Sequence, residues 1–308
     1  MTNKIHDVII IGGGISGSYL AFKLKNKFQD ILIIEKSKVL GGRLSTKPVG
    51  SGLADYGCQY FSPKSDKLTS LVNMLEKKSI MKKIGIDSKK DVFISPYGMN
   101  KISQYLSLGI PAITNSFVDR VIRRDDNWDV QVGSLFFKAK RVITTIPIKH
   151  VALLLEKSGL SKFKLPRSNY NEFFTVTFTS NKSDKGNIVE NSKSLPWICN
   201  NKLKGLHNDK NVYTVNFSSE LSLSYQKLDI ENREKSMRKV LHINGFDKIE
   251  NFSTHFWKYA FSLNQNNISH FYDGNINLGI CGDSFSIGQV DGAIISSDKV
   301  YHKILSNT

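Results

Sequence analysis

Two short apolar runs frame the opening of the chain. Val8 to Ile11 consists of four β-branched residues, and Ile31 to Ile34 is a second apolar run followed by Glu35. Between them, glycine occupies positions 12, 13, 14 and 17. Short apolar runs bounded by glycine predict buried strands, and the stretch that joins them predicts a helix. The opening therefore predicts a strand, a glycine turn, a helix, a second strand and an acid.

The pattern further along the chain predicts a mixture of helices and strands. A helix is predicted over 66–77 because its apolar residues share one face: Leu68, Leu71, Val72 and Leu75. Two more helices are predicted over 98–106 and 230–243. Alternating or continuous apolar runs predict strands over 92–94, 112–115, 118–122, 128–132, 135–137, 141–146, 173–179, 212–217 and 252–259.

The glycine turn has a chemical interpretation as well as a structural one. Gly12 permits a tight turn, Gly14 lets the backbone approach a pyrophosphate, and Gly17 lets the helix pack closely on the sheet. The helix N-terminus directs free N–H groups at the phosphates. Glu35 follows the glycines by about 20 residues, where a carboxylate accepts the hydroxyls of an adenosine ribose. These features favour a Rossmann dinucleotide site over a turn that serves packing alone.

A second glycine pair separates FAD from NAD as the expected ligand. Gly41-Gly42-Arg43 resembles the motif that lies along the FAD pyrophosphate and ribitol in flavin amine oxidoreductases. Arg43 is expected to offset phosphate charge or to lie near the flavin face. The alternative is a glycine C-cap with a solvated arginine.

The C-terminal region supplies the complement of this opening. Leu278 to Asp283 is an apolar run that ends in Gly-Asp, and Gln289 to Ala293 begins a last helix. In flavoproteins of this class such an aspartate binds the ribitol, and the helix N-terminus faces the flavin N1–C2=O edge. The alternative for Asp283 is an ordinary N-cap.

Both ends of the chain are thus expected on one cofactor, so the middle must leave the FAD domain and return to it. We predict an α/β fold: a Rossmann-type FAD-binding domain with a central parallel sheet, plus a discontinuous α+β substrate domain with an antiparallel sheet. The expected boundaries are 1–80, 96–150 and 274–308 for the FAD-binding domain, and 81–95 and 151–273 for the substrate domain.

Composition narrows the class of protein. The 308 residues carry 43 Lys and Arg against 27 Asp and Glu, a net charge of +16. The lysines are scattered and do not alternate with aromatic residues, so we expect no nucleic-acid binding, although a positive surface can attract an anionic substrate. No apolar run is long enough to predict a membrane span.

The cysteines and the N-terminus favour a cytoplasmic protein. Cys58, Cys199 and Cys281 match no disulfide framework or metal spacing, which indicates a reducing compartment and small core residues. The first strand begins within a few residues of Met1, which leaves no room for a signal peptide. The seven histidines share no spacing, so neither a catalytic triad nor a metal site is predicted.

Several segments together resemble the renalase branch of the flavin amine oxidoreductase superfamily, in the same order and over nearly the whole chain. They are residues 41–43, 54–60, 94–99, 123–130, 195–197 and 279–293. Three positions depart from the pattern. Cys58 stands where alanine is common, Lys258 follows Trp257 where arginine is frequent, and Ser284 stands where a second glycine would follow the acid.

The resemblance implies a noncovalent FAD oxidase. Such enzymes take a hydride from 2- or 6-dihydro isomers of NAD(P)H to flavin N5, and dioxygen then reoxidises the flavin to give hydrogen peroxide. A dihydropyridine needs no strong base to release its hydride. The protein therefore has to stack the donor ring on the flavin, place the donor carbon near N5 and exclude water. The alternatives are a flavin amine oxidase, a porphyrin or carotenoid desaturase, and a non-catalytic FAD-binding protein.

The expected site residues follow from these motifs. The candidates on the substrate side are Gln59, Tyr60, Trp197 and Trp257, with plain packing as the alternative for the aromatic residues. The expected cofactor-binding residues are Gly12, Gly14, Ile15, Ser16, Gly17, Glu35, Lys36, Gly42, Arg43, Gln59, Tyr60, Val118, Gly282, Asp283, Val290, Gly292 and Ala293. Val118 is expected to contact the adenine through its backbone, or else to serve the sheet alone.

Overall fold

A computed structural model of the chain describes residues 4–87, 90–181, 189–206, 208–263 and 267–307. Within this part, the helices are α1 (Ile15–Leu24), α2 (Asp66–Lys77), α3 (Asn100–Leu106), α4 (Ile148–Lys157), α5 (Asn201–Lys204), α6 (Ser219–Gln226), α7 (Ile230–Ile243) and α8 (Gln289–Ser306). None of these helices is long and apolar enough to cross a membrane.

The strands of the described residues are mostly short. They are β1 (Ile5–His6), β2 (Val8–Ile11), β3 (Ile31–Ile34), β4 (Thr46–Val49), β5 (Gly52–Asp55), β6 (Lys82–Asp87), β7 (Lys90–Ile94), β8 (Ala112–Ile113), β9 (Arg120–Arg124), β10 (Asn127–Val132), β11 (Leu135–Ala139), β12 (Val142–Thr144), β13 (Phe173–Thr179), β14 (Val189–Glu190), β15 (Trp197–Asn200), β16 (Val212–Asn216), β17 (Glu250–Trp257), β18 (Phe271–Asp273) and β19 (Leu278–Ile280).

The two ends of the chain meet in one six-stranded sheet of order β18-β19-β12-β2-β3-β8. Its strands β12, β2 and β3 are buried on both faces, as strands covered by helices on each side must be. β2 pairs in parallel with β3 and β12, and β12 pairs in parallel with β19. The sheet is the predicted Rossmann-like core, and β12 joins the N-terminal unit to the C-terminal strand.

A second sheet, of order β14-β15-β16-β13-β17, is antiparallel and has two different faces. Alternate side chains of a strand point to opposite faces. One face carries apolar residues such as Phe174, Val176 and Val215, which pack with Met237 and Leu241 of α7. The opposite face carries threonines, histidine and tryptophan, and it contacts the end of β5: Thr214 Oγ1 donates to the carbonyl oxygen of Asp55 at 2.8 Å, and Trp257 Nε1 donates to that of Tyr56 at 2.9 Å.

Sequence patterns located most elements, and several bounds coincide with the structure. α2, α7 and β13 begin and end where predicted. The predicted strand over 118–122 is displaced, because the ladder with β10 begins at Arg120, so Val118 lies before the strand. No helix is predicted after the strand over 141–146, whereas α4 follows it directly. Pro147 is in fact the N-cap of α4. The domain boundaries stay a prediction.

Candidate functional site

The glycine turn connects β2 to α1 with almost no space for side chains. A Cβ added at Gly17 would lie 2.0 Å from the carbonyl oxygen of Gly12 and 2.8 Å from Thr145 Oγ1. Gly12 has a φ of +104°, a conformation that favours glycine. α1 has no side-chain cap at Gly14 and no acid in its first turn. The first N–H groups of a helix have no intrahelical partner, so this turn is suited to an anion.

Glu35 is hydrogen-bonded to the backbone of the glycine turn. Its side chain is 5% exposed and accepts hydrogen bonds from the backbone N–H of Gly13 (2.7 Å) and of Ser37 (2.8 Å). A carboxylate has about four lone-pair sites, so two such bonds leave capacity for hydroxyl donors. Lys36, the next residue, is exposed.

The second glycine pair lies directly against the first. The N–H of Gly41 donates to the carbonyl oxygen of Gly13 at 2.9 Å, and Gly14 and Gly41 form a parallel bridge. Gly42 has a φ of +55°, and a Cβ there would approach the Cα of Gly14 to 3.2 Å. The close contact of the two loops therefore depends on glycine on both sides.

Arg43 and Asp283 link the two ends of the chain. Two Arg43 nitrogens each approach a different Asp283 oxygen at 2.6 Å, the bidentate geometry of a strong ion pair. Arg43 also donates to the carbonyl oxygen of Tyr259 at 3.3 Å. The Arg43 side chain stays 28% exposed but is held by Asp283, so the alternative of an arginine bound only by solvent is wrong. Asp283 is not a helix cap either, because the N-cap of α8 is Gly288.

The start of α8 lies close to Asp283, since a Cβ at Gly292 would be 3.6 Å from the carbonyl oxygen of Asp283, and this helix has no capping side chain. Gly292 permits the approach, since a Cβ there would lie 2.5 Å from the carbonyl oxygen of Phe285. Asp291 turns away and accepts hydrogen bonds from Ser65 N–H (2.8 Å) and Oγ (2.6 Å), which fixes the start of α2. A second helix N-terminus is therefore open at the site.

The two helices that begin at the site are packed on each other through small side chains. Ser16 Oγ and Ser297 Oγ are 2.6 Å apart, and Ser297 Oγ donates to the carbonyl oxygen of Ala293 at 2.7 Å. The Ser16 side chain is therefore bound to α8. The backbone N–H of Ser16 remains in the first turn of α1 as a donor without an intrahelical partner. Ile15 and Val290, near the starts of α1 and α8, pack against one shared apolar cluster, as do Cys58 and Tyr60.

A fully buried lysine fixes the segment that carries Gln59 and Tyr60. Lys204 Nζ lies 2.6 Å from Asp55 Oδ2, and both side chains are 0% exposed. The same ammonium group donates to Gln59 O (3.2 Å) and Oε1 (3.4 Å), while Gln59 Nε2 donates to the carbonyl oxygen of Asp55 at 2.6 Å. Gln59 is thus 7% exposed and bound within this segment. One lysine among many carried no sequence signal, so Lys204 was missed.

The antiparallel sheet presents a row of polar and aromatic residues to this segment. Cross-strand pairing places Trp197 opposite Asn216, Asn216 opposite Thr175, and Thr175 opposite His255. The Tyr60 and Trp197 ring centroids are 5.7 Å apart.

A second aromatic contact lies at the other end of the row. The Tyr56 ring stacks on Trp257 at 5.6 Å and meets His255 edge-on at 5.2 Å. Trp257 Nε1 donates to the carbonyl oxygen of Tyr56 at 2.9 Å. The residues predicted on the substrate side therefore lie on two facing surfaces, with Gln59 and Tyr60 on one and the two tryptophans on the other.

Lysines surround the histidines of this region. Burial, together with Lys47 and Lys36, lowers the pKa of His255 to about 4. Burial, together with Lys36 and Lys258, also lowers the pKa of His150. His255 is therefore neutral at physiological pH, and the positive charge comes from the lysines.

The thiols and Val118 have ordinary structural positions. Burial raises the pKa of both Cys58 and Cys199 to about 11, so these thiols stay protonated and unreactive. Among the residues that the structure describes, no group of histidines, cysteines and acids is arranged to hold a metal ion. Val118 is 7% exposed and packs in the core beside β2.

The N-terminal unit matches a known family. Residues 10–75 match the model described as an NAD(P)-binding Rossmann-like domain. Short segments also match curated proteins. The FAD-dependent oxidoreductase dbaF of Emericella nidulans is 39% identical over 57 residues, which are 18% of this chain and 12% of that protein. Achacin of Lissachatina fulica is 41% identical over 59 residues, 18% of this chain and 11% of that protein. The matched segments thus span about an eighth of these relatives' lengths.

The whole fold is shared with solved oxidase structures. A candidate protoporphyrinogen oxidase from Exiguobacterium sp. 255-15 superposes with a TM-score of 0.73 and 11% identity, covering 100% of both chains. Cyclohexylamine oxidase from Brevibacterium oxydans IH-35A gives a TM-score of 0.72 and 13% identity over 98% of this chain and 99% of that one. Putrescine oxidase bound to putrescine gives a TM-score of 0.72 and 13% identity over 98% of this chain and 99% of that one. At these identities the likeness establishes the fold.

Proposed function

We propose that the protein is an FAD-dependent oxidoreductase that binds FAD noncovalently. The observation that carries the proposal is that α1 and α8, two helices without a side-chain N-cap, pack Ile15 and Val290 of their first turns on one apolar cluster, with Asp283 of the ion pair next to the start of α8. These parts come from opposite ends of the chain, and Tyr60, which packs on the same cluster, contacts the Trp197 ring of a separate sheet. The match of residues 10–75 to a Rossmann-like nucleotide-binding model agrees with the proposal.

The residues present fit a flavin dinucleotide. The first turn of α1 and the glycine pair Gly41-Gly42 would hold the pyrophosphate, since Gly17 leaves no side chain in the way. Glu35 would accept the ribose hydroxyls with its remaining lone pairs. Asp283 would hold the ribitol, and the start of α8 would stabilise negative charge near the ring. When bound, FAD accepts a hydride at N5 and passes the electrons to dioxygen.

For the substrate we propose 2- or 6-dihydro isomers of NAD(P)H. The reaction removes one hydride from the dihydropyridine to give NAD(P)+, and dioxygen with one further proton becomes hydrogen peroxide. Trp197, Trp257 and Tyr60 would stack on or enclose the donor ring and keep water out. Lys36, Lys47 and Lys258 would attract the phosphates of a dinucleotide. Because the donor needs no strong base, a neutral His255 is compatible with this chemistry.

A flavin amine oxidase is the second candidate. It is favoured by the shared fold with cyclohexylamine oxidase and putrescine oxidase. The lysines around His150 and His255 oppose it, because they raise the energy of a protonated amine that approaches the sheet face. A porphyrin substrate would agree with the likeness to the candidate protoporphyrinogen oxidase.

We also propose that the protein works in the cytoplasm. All three cysteines are free, with Cys199 and Cys281 buried, and the Cys58 and Cys199 thiols remain protonated. Free thiols are expected in a reducing compartment. We expect no nucleic-acid partner.

Anaerobic stopped-flow absorbance tests the proposed reaction. The FAD-loaded protein is mixed separately with the 2- and 6-dihydro isomers, with NADH, with cyclohexylamine and with a porphyrinogen, and the flavin band is followed. Fast bleaching by the isomers, with little bleaching by NADH, is the expected result. Bleaching by an amine or a porphyrinogen alone would mean that this donor, and not a dihydro isomer, is the substrate. If no donor bleaches the flavin, the protein is a non-catalytic FAD-binding protein.

A further inference from the structure

The three tryptophans of the chain differ in how their indole N–H groups are used. Trp128 Nε1 donates to the carbonyl oxygen of Ile276 at 2.7 Å, and Trp257 Nε1 donates to that of Tyr56 at 2.9 Å. Trp197 Nε1 is buried, and in the part of the chain that the structure describes nothing accepts its hydrogen. An indole nitrogen can only donate, and buried donors in proteins are nearly always paired. The Trp197 N–H is therefore a buried hydrogen-bond donor that can bind an acceptor on a ligand.

The position of Trp197 connects this donor to the proposed site. Trp197 begins β15 on the polar face of the antiparallel sheet, in the cross-strand row that ends at His255. Its ring contacts that of Tyr60. Tyr60 in turn packs on the apolar cluster that also receives Ile15 of α1 and Val290 of α8. One contact therefore separates Trp197 from the cluster beside the two helix N-termini.

We propose that the Trp197 N–H recognises a carbonyl oxygen of the substrate, namely the carboxamide oxygen of the dihydronicotinamide ring. This inference rests on the proposed function and adds a specificity residue to it. A bond to the carboxamide fixes the rotation of the donor ring in its plane, while Tyr60 limits its position from the side. Trp257 cannot perform this role, because its N–H is already bound to Tyr56.

The experiment compares two proteins and two ligands. Affinities of FAD-loaded Trp197→Phe and Trp257→Phe are measured by calorimetry for NAD+ and for thionicotinamide adenine dinucleotide, whose sulfur is a weak acceptor. A neutral hydrogen bond corresponds to roughly a fivefold change in affinity. We expect wild type to prefer NAD+ by about this factor. Trp197→Phe should lose the preference, and Trp257→Phe should keep it.

A spectroscopic measurement on the wild type covers the case in which Trp197→Phe does not load FAD. In ¹H–¹⁵N spectra the three indole signals are recorded with and without NAD+. The Trp197 signal should move downfield on NAD+ binding, and the Trp128 signal should stay in place.

The outcomes separate the two proposals. If the isomers reduce the flavin but Trp197→Phe keeps the preference for NAD+, or the Trp197 signal does not move, the inference is wrong and the proposed function stands. If Trp197→Phe lowers the affinity for both ligands by the same factor, the ring serves packing only, and the inference is wrong. If wild type binds no NAD+ and no isomer bleaches the flavin, both proposals fail.

Discussion

At the scale of single residues, the Lys204–Asp55 pair is the strongest constraint near the site. Both side chains are excluded from water, and the ammonium group has three acceptors within 3.4 Å. Asp55 also accepts hydrogen bonds from Thr46 Oγ1 at 2.5 Å and from the N–H of Met99 at 2.8 Å. The pair thus ties α5, the helix that follows β15, to the segment that carries Gln59 and Tyr60.

Removal of one partner should be costly. Lys204→Met leaves the Asp55 carboxylate buried without its cation, and we expect a loss of about 3–5 kcal/mol in the free energy of unfolding. Chemical denaturation of the apoprotein measures it. Lys202→Met on the same helix is the matched control, because Lys202 is exposed and should change stability by less than about 0.5 kcal/mol. Equal denaturation midpoints for the two variants would contradict the prediction.

His255 should give the protein a specific pH dependence. Its pKa of about 4 lies below the usual value of 6.5, so the unfolded chain binds the proton more readily. The contribution of His255 to stability is complete above about pH 6.5 and is lost as pH falls toward 4. His255→Phe keeps an aromatic ring beside Tyr56 and Trp257. Its melting temperature should fall less than that of wild type between pH 6.5 and 5, and parallel curves would refute this.

At the scale of elements, the structure differs from the predicted helices at two places, and each difference has a local cause. Pro147 lacks an N–H, and this suits the start of a helix as well as the end of a strand, so α4 was overlooked. The helix predicted over 98–106 begins at Asn100, because Gly98 has a φ of +97° and cannot be helical. The glycine turn and α1 formed as predicted, since steric contacts among neighbours determine them.

The packing of α1 on the turn should not tolerate a methyl group. In Gly17→Ala the new Cβ would lie 2.0 Å from Gly12 O, so the helix or the turn must move. We expect a loss of stability of about 1–3 kcal/mol or more and weaker FAD binding. Calorimetry and flavin fluorescence measure the two effects. Gly85→Ala is the control, since a Cβ there meets nothing within 4 Å. Unchanged FAD affinity in Gly17→Ala would remove the turn from the site.

At the scale of the whole molecule, the cofactor should connect the two ends of the chain. A ligand that binds only the folded state stabilises it by about 2.7 kcal/mol at one hundred times its dissociation constant. We therefore expect the melting temperature to rise with FAD concentration. Riboflavin lacks the pyrophosphate that α1 would hold, and it should stabilise the protein far less. Equal stabilisation by riboflavin and FAD would show that the α1 turn is not used.

The sequence by itself determined the opening unit, the α/β class and the return of the chain at β19, because these follow from the spacing of apolar residues and glycines among near neighbours. Only the tertiary structure decided the ion pair of Arg43 with Asp283, the burial of Lys204, and which tryptophan N–H groups find an acceptor. Each of these joins residues more than a hundred positions apart. Such contacts depend on how two sheets are placed against each other, and no local pattern records that placement.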